Sequence, residues 1–81
     1  MKDKVIDVLG EESLALFADG FDDAIIGIET VSERVVYSKN IMIDILIDEG
    51  MDEIDAIEHL EYNVWGAYVG EHTPIYVEEI L

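Results

Sequence analysis

The apolar positions of the chain change period several times, and each change marks an element. Between residues 50 and 70, Ile54, Ile57, Leu60, Val64, Ala67 and Tyr68 recur on one face at a 3.6-residue period, the pattern of an amphipathic helix. Asp52 ahead of them is an N-cap residue, and Asp55 three positions on sits where a capping box places its acid. Asp52, Glu53 and Asp55 also complement the positive end of the helix dipole. Gly70 offers a left-handed stop and Pro74 forbids continuation. Gly66 costs such a helix about 1 kcal/mol relative to Ala, and marks either a close crossing or an early end near Trp65.

A second helix precedes it. Ser38 caps residues 39–49 and Gly50 closes them, although their β-branched content would also allow a strand. On a helical wheel only Asn40, Asp44 and Asp48 form a polar stripe, so most of this helix must be covered. Residues 24–29 are short, β-branched and bounded by turn residues, and predict a strand whose Gly27 signals a bulge or a close approach. Residues 34–38 form its antiparallel hairpin partner across the connection 30–33. The tail 73–81 alternates partly and starts at Pro74, which suits the first position of a third strand. Upstream, Leu14, Phe17 and Phe21 at i, i+3 and i+7 predict a helical segment that Gly20 stops, followed by a turn over 19–23. Val5, Ile6, Val8 and Leu9 fit a short helix or an irregular start. The expected architecture is a single α+β domain over residues 1–81. A small three-stranded antiparallel sheet packs against two main helices plus a short N-terminal helix.

Size and composition narrow this picture. At 81 residues, one core is barely sufficient, and with no cysteine neither a disulfide nor a thiolate-held metal can add to it. An apolar fraction of 51% still sets the chain apart from disordered sequences. Further burial is available by oligomerisation, and the largely apolar helix at 39–49 makes a homodimer one expectation. No apolar run approaches the ~20 residues of a membrane span, and the first residues lack a signal-peptide core, so a cytoplasmic chain with no membrane partner is expected.

Charge changes the picture most. Twenty acids face four bases for a net charge of −16, and no Lys or Arg follows Lys39. Direct binding to nucleic acid needs cations that displace phosphate counterions, and an anionic membrane surface needs the same, so neither is expected. A partner with a basic surface is compatible.

Candidate chemistry is sparse. His59 and His72 are the only histidines; Asp55 and His59 at i, i+4 are too few ligands for a metal site and read as a solvated helix face. The acid-rich loop 48–53 fails the EF-hand frame, because Gly50 at the sixth position puts Ile45 at the first. Ser13, Ser32 and Ser38 have no neighbouring His or Lys pattern, and Gly-rich phosphate loops are absent. The sequence therefore predicts no enzyme, no cofactor and no metal. Glu61 falls between Ile54 and Tyr68 on the wheel, where a carboxylate must either reach water at the edge or pair with Arg34 or a tyrosine hydroxyl.

Four stretches carry a resemblance: residues 19–28 (DGFDDAIIGI), 35–38 (VYS preceded by Val35), 55–58 (DAIE) and 62–75 (YNVWGAYVGEHTPI). They look like a group of small uncharacterised proteins encoded by tailed bacteriophages, over a span from about residue 19 to residue 77. The run Asn63-Val64-Trp65-Gly66-Ala67-Tyr68-Val69-Gly70-Glu71 leading into Thr73-Pro74 is the most specific part. The resemblance implies a phage origin and action in the cytoplasm of an infected bacterium, and it carries over no functional residue.

Asp52, Asp55 and Glu58 step along the outer helix face at roughly 5–6 Å between neighbours, and Asp44 and Asp48 do so on the preceding helix. Carboxylates held so on rigid elements can stand in for phosphates and fill a basic nucleic-acid site on a host protein, such as RNA polymerase, a nuclease or a nucleoid protein. The expected partner-binding residues are Asp44, Asp48, Asp52, Asp55 and Glu58. The alternative is a homo-oligomeric structural or assembly protein whose acids serve solubility or salt adaptation.

Overall fold

At Ser38 the sheet hands the chain to the helices, and the join shows how tightly local chemistry sets the fold. The computed structural model describes residues 1–80. Strand β1 (Ile25–Glu29) pairs antiparallel with β2 (Arg34–Ser38), and β2 runs without a loop into α2 (Lys39–Asp48). Ser38 is fully buried, and its hydroxyl accepts from the Ile41 N–H at 3.2 Å, one of the free donors of the first turn. The helix stops where Gly50 takes φ +108°. There the Met51 N–H reaches the Leu46 carbonyl at 3.1 Å and the Gly50 N–H reaches Ile47 at 3.0 Å, the paired bonds of a Schellman stop. Met51 thereby folds back onto the core beside Leu46.

Asp52 then opens α3 (Glu53–Leu60), its carboxylate accepting from the Asp55 N–H at 2.9 Å. The α-helix is shorter than its sequence pattern. From Glu61 to Trp65 it widens into a π-helical turn and ends at Gly66. This is the early end that Gly66 signals, and a Cβ there would come within 3.0 Å of the Glu61 carbonyl oxygen. Gly70, at φ +115°, is therefore no helix stop. It belongs to a turn in which the Thr73 hydroxyl donates to the Gly70 carbonyl at 2.7 Å and accepts from the Val69 N–H at 3.0 Å.

The sheet has the order β1-β2-β3, and β3 (Ile75–Val77) corrects one expectation: it lies parallel to β2, so the sheet is mixed. Two intervening helices form a crossover connection, which delivers a parallel strand where a hairpin would deliver an antiparallel one. The start of β3 is pinned beside the start of β2. Arg34 Nε donates to the Thr73 carbonyl at 2.6 Å, and His72 Nδ1 lies 2.9 Å from the Ser32 carbonyl. Residue 81 of the predicted third strand lies outside the described residues.

The hairpin follows the sequence closely. The register slips between Ile25 and Gly27, which places a bulge at Ile26. In the connecting turn the Glu29 carboxylate accepts from the Val31 and Ser32 N–H groups and from the Ser32 hydroxyl. These bonds hold its carboxyl below the ordinary value of 4.5, the Ser32 hydroxyl contributing most. A carboxyl lowered in the folded state stabilises the fold above its unfolded pKa, and that contribution is lost as pH falls through the lowered value. An NMR titration should place Glu29 below 4.5 in the native protein and higher in Ser32→Ala. An unmoved midpoint in that variant would contradict the assignment.

The N-terminus forms α1 (Lys2–Leu9), so the short-helix alternative holds, with Val5 buried. The predicted helix after it does not form. Residues 14–18 are irregular, and Leu14 is exposed. The Ser13 hydroxyl accepts from the Ala15 N–H at 3.1 Å, and the Ala18 N–H is claimed by the Tyr37 hydroxyl at 2.8 Å, bonds that compete with helix formation. A 3₁₀ turn over Asp22–Ala24 leads into β1.

The core joins Val35 and Tyr37 of β2, Met42 and Leu46 of α2, and Ala56 and Leu60 of α3, with Val5, Phe21, Ala24 and Ile25 around them. The buried line of α3 is thus Ala56–Leu60, whereas Ile54, Ala67 and Tyr68 of the predicted face are exposed. Among the described residues every buried side-chain nitrogen and oxygen has a hydrogen-bond partner.

Candidate functional site

The two helices that carry the predicted carboxylates are fixed at both ends of their junction, by the Schellman stop of α2 and the Asp52 cap of α3. Asp44, Asp48, Asp52, Asp55 and Glu58 are all exposed on this unit. Asp52 is the one with a second duty, since one carboxylate oxygen is engaged by the Asp55 N–H. The structure gathers Asp44 with other acids than those expected. Asn40, Ile43, Asp44, Glu53, Glu78 and Glu79 line a shallow recess of about 390 Å³, because parallel β3 returns the chain beside the first turns of α2. Glu53, Glu78 and Glu79 therefore extend the acidic surface. Only the parallel direction of β3 places the last two there, and the residue pattern of the tail carries no sign of that direction.

Three of the four bases rest against other groups of the fold, although Lys2 itself is exposed. Lys2 Nζ lies 4.8 Å from the centre of the Phe17 ring, and Lys39 Nζ lies 4.6 Å from that of Trp65. Arg34 is bonded to the Thr73 carbonyl. The Trp65 indole N–H points at the Met42 sulfur at 3.5 Å, which keeps the ring beneath Lys39. Glu61 is exposed, so it reaches water, and the pairing with Arg34 is not what the fold uses.

His59 is exposed on α3, where the Asn63 amide donates to its carbonyl at 3.0 Å. Among the described residues no group of three or more His, Asp or Glu is placed to hold a metal ion. A recess of about 440 Å³ with a largely apolar lining opens between Phe17, Phe21, Val64, Ala67, Pro74 and Tyr76. Thr73 also borders it, with its hydroxyl already committed to the Gly70 turn. Burial raises the Tyr76 hydroxyl above its ordinary pKa of 10. Among the described residues no helix is long and apolar enough to cross a membrane.

Comparison with known protein families, curated proteins and solved structures finds no match to this chain.

Proposed function

We propose that the protein is a phage-type accessory protein that binds a basic, nucleic-acid-binding site on a host protein and blocks it, presenting carboxylates in place of phosphates. The observation that carries this reading is the division of charge. Asp44, Asp48, Asp52, Asp55 and Glu58 stand exposed on a rigid helix pair, while Lys2, Lys39 and Arg34 are occupied by two aromatic rings and a carbonyl. Unneutralised carboxylates on fixed elements steer a cationic partner and fix its register. On this reading the protein acts in the bacterial cytoplasm, needs no cofactor and performs no catalysis.

A pull-down from bacterial lysate tests it, with the wild type beside a variant in which Asp44, Asp48, Asp52, Asp55 and Glu58 become Asn or Gln. The wild type should retain a nucleic-acid-binding protein at low salt and release it at high salt, and the variant should retain none. Equal retention by the variant would remove the five carboxylates from the interface.

A self-associating assembly protein is the second reading. It is favoured by Met1, Val8 and Ile26, which are 59%, 64% and 42% exposed around an apolar recess between α1 and β1. It predicts a sedimenting oligomer and, where the acids serve salt adaptation, a fold that strengthens as salt is added.

A further inference from the structure

Ile54 and Tyr62 stand in water, 70% and 85% exposed, on the most acidic part of the helix pair. A step of about 100° per residue places Glu58 opposite the buried line of Ala56 and Leu60. Ile54 lies on one flank of Glu58 and Tyr62, at the start of the π-helical turn, on the other; Asp55 and Glu61 border them. At a rise of about 1.5 Å per residue, Ile54 and Tyr62 are roughly 12 Å apart along the axis, two turns of a helix.

A surface that imitated phosphates alone would have no use for an isoleucine and a tyrosine at its centre. Apolar and aromatic side chains interleaved with charge suit a docking face, and tyrosine is among the residues that dominate binding energy. The carboxylates specify what docks. Arginine pairs with carboxylates in a bidentate fork and also stacks on a tyrosine face. A second copy of this chain, at −16, is opposed by its own charge.

We propose that this face of α3 docks a basic amphipathic helical segment of the partner. Apolar side chains of that segment pack against Ile54 on one flank of Glu58 and Tyr62 on the other, and its arginines pair with Asp55, Glu58 and Glu61. The inference rests on the acidic-face reading and goes beyond it by giving the partner's chemistry.

Two labelled peptides of identical Arg, Leu and Ala composition test it by fluorescence anisotropy, one ordered as an amphipathic helix and one scrambled. The wild type should bind the amphipathic peptide about tenfold more tightly. The double variant Ile54→Ser, Tyr62→Ser should lose that preference while still binding the scrambled peptide, and Leu14→Ser, changed at another exposed position, should keep it. Equal affinity for the two peptides, or a preference that survives the double variant, would overturn the proposal. So would a wild-type dimer in sedimentation that the double variant abolishes, since the patch would then belong to a second copy. If neither peptide binds at low salt, the acidic-face reading fails with it; if both bind alike, only the amphipathic partner is lost.

Discussion

Replacing Leu60 by Ala is expected to cost about 2–5 kcal/mol of folding free energy, because the side chain is fully buried and its removal leaves a cavity. A chain of 81 residues has roughly 4–12 kcal/mol of stability in total, so this one change removes a large fraction of it. Leu60 sits where α3 meets α2 and the sheet, in one core with Met42, Leu46, Tyr37 and Ala56. The proper control is Ile54→Ala. The apolar periodicity assigns both residues to the same buried face, yet Ile54 is 70% exposed and should cost no more than about 0.5 kcal/mol. Urea unfolding of the two variants measures the difference, and equal losses would contradict the observed rotation of the helix.

Tyr37→Phe carries the second largest effect, about 1–3 kcal/mol, from a single oxygen atom. Tyr37 is fully buried at the centre of the sheet, and its hydroxyl accepts from the Ala18 N–H across 19 residues of sequence. Phenylalanine would leave that N–H without an acceptor, and the segment before the 3₁₀ turn would lose its tie to β2. Hydrogen exchange at Ala18 should accelerate in the variant, while exchange within α2 should change only with global stability. Burial pushes the hydroxyl up to about 12, against the opposing effect of the Ala18 N–H. A pKa raised in the folded state gives stability that is complete below the unfolded value near 10 and lost as pH rises through about 12. A native Tyr37 that titrates at its ordinary value, or a Phe variant as stable as the wild type, would contradict this role.

Much of the fold was legible because its signals are local. Ser38, Gly50 and Asp52 each act within a few residues, and all three do in the structure what their positions imply. Gly27 marks its bulge and Gly66 its early helix end for the same reason. The α+β architecture with three strands, two main helices and a short N-terminal helix follows from these signals. What escaped the sequence was set at long range. The parallel return of β3 comes with contacts of Arg34 and His72 to residues about forty positions away, which no periodicity records. Residues 14–18 carry a helical spacing but have two of their donors taken by side-chain oxygens, one of them from a distant strand.

The site was legible in part for a related reason. Exposure of Asp44, Asp48, Asp52, Asp55 and Glu58 follows from helical spacing alone. The exposure of Ile54 does not, because α3 offers two overlapping apolar stripes and the one through Ala56 and Leu60 is the buried one. Glu78 and Glu79 join Asp44 only through the parallel return of β3.

The proposed competition of the acidic face with nucleic acid for one basic site is tested most directly by loading the partner recovered by pull-down onto fluorescent duplex DNA and titrating this protein into the complex. Displacement of the DNA to completion, at a midpoint that moves with DNA concentration and is lost when the five carboxylates become amides, is the predicted result. A stable ternary complex, with partner holding DNA and this protein together, would contradict it.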